Sequence, residues 1–442
     1  GGGAPAARFW DAYSGTGNQF HMQFGDGGAD ILNLSPGELS NGGQSNAKFR
    51  DNSAWYHIVW AWDSVNQTFR AWSNGVELTW SNTTTPALNG VTSLTKSGTP
   101  VQIGKINANA VDMYLAEVHV VDGQALDHED FCEYDTNGVW RPIEYTGTYG
   151  DEGYYLKFDP DATNGIGHDH SGNGNNFSGA SSFTTSGTGT DVMDDTPTTN
   201  WCTLNPLYKP ATSSIAPRNG NLEIVSSTTG YDQVRIGTHA FTSGKWYWEY
   251  RLEGSIAAGG AGIIDPTTTA FHDMMRSTTP SLNLIGGFQR RQGGTVSSAG
   301  VSNVSSGSIS NGTVAMFAVD YDSGKVWVGT AGSWYNSGDP AAGTNPTITI
   351  QTLTTAVPFF SPTDTGSQTY YANWGQRAFE YTPPTGFKAL NTSNLPAPTI
   401  KDGSKNFNTV LYTGNTTSQS ITGFGFQDRK STRLNSSHRC IS

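Results

Sequence analysis

From Lys245 to Leu252 the chain alternates with a period of two. Trp246, Trp248, Tyr250 and Leu252 fall on one side, and Lys245, Tyr247, Glu249 and Arg251 on the other. Only a β-strand places every second residue on one face, so this segment predicts a half-buried strand with a wide aromatic core face. Such a strand needs partners, and the chain supplies them in the same idiom. Residues 314–320 form an apolar run, Tyr321-Asp322-Ser323-Gly324 reads as a turn, and residues 325–329 as the returning arm of a hairpin. Residues 357–360 and 371–376 add two more strand-like runs.

The same reading holds near the start. Trp55 to Asp63 is β-branched and aromatic, Ser64-Val65-Asn66-Gln67 is a turn, and Thr68 to Trp72 leads to Ser73-Asn74-Gly75 and Val76-Glu77-Leu78. Asn-Gly between strand-like runs is a strong hairpin signal, because both residues tolerate positive φ. Residues 55–78 therefore predict a three-stranded antiparallel meander, apolar on both pleat faces near Trp60, with one face packed on a second sheet. Residues 101–104 and 113–121 continue the strands. Asp127 then caps a short helical turn, with Asp130 at the position where an acidic side chain helps.

Composition narrows the class. Charged residues are 14% of 442, well below the ~25% of an average soluble chain, while aromatics are 12% with 13 Trp, enough to build a core despite 54 Gly. The net charge of −12, with basic residues scattered, argues against nucleic acid as the main partner. No apolar run approaches 18 residues, so no membrane insertion is expected. All-β domains working outside the cytoplasm fit these numbers.

Two resemblances follow from the motifs. Residues 55–59 (Trp-Tyr-His-Ile-Val), the Ser73-Asn74-Gly75 hairpin, Ile103-Gly104, and Ala116-Glu117-Val118 followed by residues 122–126 are similar to a laminin-G-like, concanavalin A-type jelly roll, whose opening strand is missing or degenerate here. That resemblance implies a two-sheet sandwich that binds glycan or protein. Catalytic relatives with this fold carry an E-x-D-x-x-E string, which is absent; residues 129–133 have the wrong phase. Residues 244–249 (Gly-Lys-Trp-Tyr-Trp-Glu), 320–327, 357–360 and Asn373-Trp374-Gly375-Gln376 followed by Phe379 resemble a SPRY domain, with Trp374 where Phe is usual. It implies a second sandwich that binds a partner through loops at one rim. The expected fold class is thus all-β, with two consecutive antiparallel β-sandwich (jelly-roll) domains. A laminin-G-like domain occupies 1–165, a Gly/Ser/Thr/Asn-rich linker 166–204, a SPRY-like domain 205–392, and the start of a third β module 393–427. This module order, with its Gly/Asn/Thr-rich composition, resembles phage tail-fibre and receptor-binding proteins.

The ends read differently. The chain begins Gly1-Gly2-Gly3 without Met, which suggests processing or a reading frame entered part-way. Residues 428–442 turn abruptly basic, with four basic residues and one acidic. Reverse translation of Asp428 to His438 resembles a widely used sequencing adapter; the alternative is a basic tail that binds something acidic. Without that segment the chain is more acidic still and keeps only Cys132 and Cys202, too few for a disulfide framework or a zinc site and expected as buried thiols.

No catalytic residues are expected. The exposed-aromatic loop Trp334, Tyr335 and Asn336 is the candidate ligand-binding site, set against a role for Trp334 in capping the core. Asp159, Asp161 and Asp169 are weak calcium candidates, since oxygen ligands on turns suit a hard cation, against a reading as Asx-rich turns that satisfy their own backbone. No other cofactor is expected, and His168 with His170 has no evident third ligand. The expected function is a non-enzymatic virion surface adhesin, located on the outside of a phage particle. Its partners would be a host-surface glycan or protein and other virion proteins, in an assembly that includes a homotrimer among its options. The alternatives are a polysaccharide depolymerase, which needs two carboxylates flanking a groove, and a structural virion decoration or spacer.

Overall fold

The structure is a computed structural model. It describes residues 7–13, 19–26, 29–37, 43–51, 54–81, 85–106, 109–110, 113–135, 138, 140–178, 192–208, 216–226, 234–254, 258–266, 284–290, 295–298, 301–305, 311–350, 355–363, 368–397, 399–400 and isolated positions from 406 to 422. Much of the expected third module, 393–427, and all of residues 428–442 lie outside the described residues. Every regular element described is a strand or a short 3₁₀ turn, so the chain is all-β.

In the first module, β1 (Ala7–Tyr13), β2 (Gln19–Asp26), β3 (Ala29–Gly37) and β4 (Gly43–Gln44) form a meander that takes up β8 (Val101–Ile103) beside β1. Facing it are β5 (Ile58–Asp63), β6 (Thr68–Ser73) and β7 (Val76–Glu77) in the predicted three-stranded order. Strands β1 to β3 supply Phe9, Trp10, Phe20, Met22, Leu32 and Leu34 to the core. Phe20 stacks on Trp60 across the two sheets at 5.3 Å. After β9 (Lys105–Ile106) and β10 (Asn109–Ala110) comes β11 (Val118–Val120), shorter than the expected 113–121. It pairs with β14 (Tyr154–Leu156), while β12 (Cys132–Tyr134) and β13 (Trp140–Pro142) form their own hairpin. Glu117 breaks the longer strand by adopting φ +52, outside the strand region. The turn after β11 is as expected: Asp127 accepts from Glu129 N–H, and Asp130 returns to the Asp127 N–H, a complete capping box.

The second module contains β15 (Glu223–Ser226), β16 (Arg235–Ile236), β17 (Lys245–Gly254), β18 (Ala258–Ile264), β19 (Leu284–Arg290), β20 (Thr295–Ser298), β21 (Val301–Ser305), β22 (Val314–Asp320), β23 (Lys325–Thr330), β24 (Ser333–Trp334), β25 (Ile348–Thr349), β26 (Val357–Thr363), β27 (Gln368–Asn373) and β28 (Lys388–Ala389). One sheet runs β15-β27-β17-β22-β23-β24, and the other β16-β26-β18-β19-β20-β21. Trp246, Trp248, Tyr250 and Leu252 face the core between them, as the alternation predicts. The opposite face differs from expectation. Tyr247 and Glu249 are buried too, because residues 379–390 return over β17. Phe379 packs edge-on against Tyr247 at 4.8 Å, and Glu249 accepts the N–H groups of Glu380 and Tyr381 and the Tyr247 hydroxyl.

The expected linker 166–204 is largely packed at both ends. Ile166 is buried and Phe177 packs on the first core, while Cys202 and Leu204 belong to the second; residues 179–191 lie outside the described residues. Cys132 and Cys202 are both free and buried.

Candidate binding cleft

A cleft of about 1180 Å3 opens along β5 and the segment 113–126. Its first wall follows from the aromatic run that begins at Trp55. Asn74 pins the start of that run, accepting the His57 N–H at 2.8 Å through its side chain and donating its own N–H to the His57 carbonyl. Trp55, Tyr56, Trp60 and Trp62 then line the opening, each half-buried. Tyr114, His119 and Glu117 come from the other wall.

Residues of the second module close one end. The Tyr114 hydroxyl donates to Asn219 Oδ1 at 3.3 Å, with Gly220 against the Tyr114 ring. Asp195 caps the Trp201 N–H at 3.1 Å and accepts from the Trp55 side chain. Burial raises the Asp195 carboxyl to about 6 against those hydrogen bonds. His57 and His119 are pushed down to about 4, chiefly by burial, so both rings are neutral near pH 7. Their loss of charge leaves carboxylates as the dominant charges: Asp51, Asp63, Glu117, Asp122 and Asp195 line the cleft, with Arg218 paired to Glu223 at 2.5 Å. Aromatic faces, amides and carboxylates on a concave wall suit a polar ligand with apolar patches.

The residues singled out from sequence lie elsewhere. Trp334 is half-buried and meets Tyr247 edge-on at 6.4 Å, packed on the cluster of Trp327 and Phe387. Tyr335 is 9% exposed and its hydroxyl donates to Thr330 Oγ1 at 2.9 Å. Asn336 is exposed, at φ +58. Of the calcium candidates, Asp169 is 3% exposed and accepts from Tyr155 N, Ser171 N, Ser171 Oγ and Asn175 N; Asp159 accepts from Asp161 N, and Asp161 is exposed. Among the described residues no three His, Cys, Asp or Glu side chains gather to hold a metal, so these three carboxylates are not brought together. Sequence reasoning passed over the cleft because Trp55 to Trp62 reads simply as a core strand. The signal for it was that both pleat faces are apolar.

Neither a family model nor a curated protein matches the chain. Among solved structures, the chain is similar to the SPRY domain of human HERC1 (13% identity, covering 38% of this chain and 96% of that one, TM-score 0.28). It is also similar to the TRIM65 PSpry domain (14% identity, 39% and 92%, TM-score 0.28). Values this low carry no functional implication for this chain. The fold is that of an all-β protein with two sandwich cores among the described residues. No helix among the described residues is long and apolar enough to cross a membrane.

Proposed function

We propose that this chain is a non-enzymatic adhesin that engages a glycan or protein on a host surface. The finer reading, a phage virion protein of tail-fibre type with other virion proteins as neighbours, rests on the module order and the Gly/Asn/Thr-rich, charge-poor composition. The cleft carries the proposal: Trp55, Tyr56 and Trp62 present half-buried rings beside carboxylates and amides in about 1180 Å3, the mixture that recognises amphipathic ligands. The exposed Asn336 on the second module is a second contact within this reading.

A glycan array and whole bacterial cells test it. Binding that drops about tenfold in Trp55→Ala and Trp62→Ala, roughly one lost stacking contact, is expected. Loss of binding to every surface by the unaltered chain would refute it. Chain cleavage of a bound polysaccharide, abolished by Asp195→Asn, would replace it with a depolymerase.

A further inference from the structure

The wall of the cleft is an unfinished sheet. Among the described residues, β5 is the outermost strand of its three-stranded sheet, and β11 has β14 on one side alone. The direction of their backbone groups can be read from the ladder, in which antiparallel residues alternate between facing the partner and facing away. His57 directs both its N–H and C=O to Asn74, so Val59 and Ala61 address β6, and Ile58, Trp60 and Trp62 turn their N–H and C=O outward. On the other side, Tyr155 N–H goes to Asp169 and its C=O accepts from His170. Tyr155 therefore faces away from β11, and so does its partner His119 face away from β14. No hydrogen bond among the described residues engages these outward groups of Ile58, Trp60, Trp62 and His119. All four residues line the same cleft.

Resting on the adhesin reading of this cleft, we propose that its occupant is an extended, cationic polypeptide segment of a partner protein, which enters as an added strand between β5 and β11. Main-chain hydrogen bonds to two free edges supply affinity independent of sequence, and alternate side chains supply selectivity. The size fits. A strand in a sandwich occupies about 160 Å3 per residue, from spacings of ~4.8 Å and ~10 Å and a rise of ~3.3 Å, so about 1180 Å3 takes about seven residues. The side-chain pattern follows from β5. Ile58 and Trp60 face the core, so alternate residues of the guest meet that core and should be apolar. Its other residues meet the carboxylates of the lining, where His57 and His119 are neutral and Arg218 is already paired to Glu223. They should be Lys or Arg.

The test uses the full chain and a capped octapeptide of alternating Val and Lys. Calorimetry should give saturable binding, and amide exchange at Ile58, Trp60, Trp62 and His119 should slow at least about tenfold on saturation. The same peptide N-methylated on alternate residues, and a Val/Glu peptide, should each bind at least about tenfold more weakly. Glu117→Gln should weaken the Val/Lys peptide about threefold without removing the amide protection. Equal binding of the N-methylated peptide, no binding at millimolar peptide, or binding without protection of those amides overturns the proposal. A glycan hit that needs Trp55 while the peptide fails leaves the adhesin reading standing and removes the inserted strand. Amide protection by the peptide, with every glycan and cell surface silent, does the reverse.

Discussion

Acidification from pH 6.5 to pH 4 should loosen the first sandwich through two imidazoles that stay neutral in the fold. Burial carries His57 from its ordinary 6.5 to about 4, with His128 adding to the effect. His119 falls to about 4 for the same reason, helped by His57 and Lys157. Glu117 lies 3.9 Å from His119 Nε2 and pulls the other way. Its carboxylate is half exposed and screened, so desolvation prevails. A tenfold change in proton affinity is about 1.4 kcal/mol, so each ring is worth about 3 kcal/mol. Above pH 6.5 the rings are neutral in folded and unfolded chains alike, and their contribution is complete. As the pH falls towards 4, the unfolded chain takes up protons that the fold refuses, and that contribution is lost.

Asp195 opposes this within the same window. Its folded carboxyl is raised from 3.8 to about 6, so the fold holds a proton that the unfolded chain releases. Its contribution is complete below 3.8 and lost as pH rises through 6, so acidification restores about 3 kcal/mol. Two histidines losing about 6 kcal/mol against one aspartic acid regaining about 3 leaves a net loss of about 3 kcal/mol. Urea titrations at pH 7, 6, 5 and 4.5, followed by tryptophan fluorescence, measure the slope. Cε1 proton titrations by NMR assign it to the rings. The double variant His57→Gln/His119→Gln should make the slope markedly shallower, because the histidines' share is removed from it. A variant curve that tracks the unaltered one, or ring protons that titrate near 6.5, would refute the reasoning.

Three further outcomes are expected. Gly375→Ala should cost 2 kcal/mol or more in urea unfolding, because Gly375 sits at φ +109 and a Cβ would lie 2.7 Å from both Trp201 and Ala389. A loss under about 0.5 kcal/mol would mean that the turn after Trp374 can shift. Asp127→Ala removes the side-chain acceptor of the capping box and leaves the Asp127 N–H bond to Asp130 in place; it should lower stability by about 1 kcal/mol, read as a fall in the melting temperature that Asp127→Ser largely restores. Asp169→Ala strips the acceptor from four donors around β14 and should cost about 3 kcal/mol, with faster amide exchange at Tyr155 as its local signature.

What the sequence made legible was set by local chemistry. The alternation from Trp246 to Leu252, the Asn74-Gly75 hairpin and the Asp127 cap each depend on a few neighbouring residues, and each is where it was expected. The second face of β17 was not legible, because Tyr247 and Glu249 look like a solvent face until residues 379–390 fold over them from more than a hundred positions away. A carboxylate there is tolerable only because two backbone N–H groups and a tyrosine hydroxyl meet it, and the strand itself carries no trace of the two backbone donors. Burial still raises its pKa above the ordinary carboxylate value, so those bonds offset desolvation only in part.

The cleft shows the same limit from the opposite side. The run from Met113 to Val121 is as β-prone as any in the chain, and composition alone extends β11 across all of it. Glu117 at φ +52 ends the strand early, and its carboxylate accepts the Tyr155 hydroxyl, a contact made from β14 and invisible in the local string. Propensity says that a segment can pair; it does not say that a neighbour arrives. An edge with outward N–H and C=O groups, lined by aromatic rings, is costly to leave unpaired and prone to unwanted association. Persistence of such an edge on both sides of one cleft is therefore better explained by a ligand that completes the sheet than by incomplete packing. A chain that only had to fold would have closed β11 onto β5.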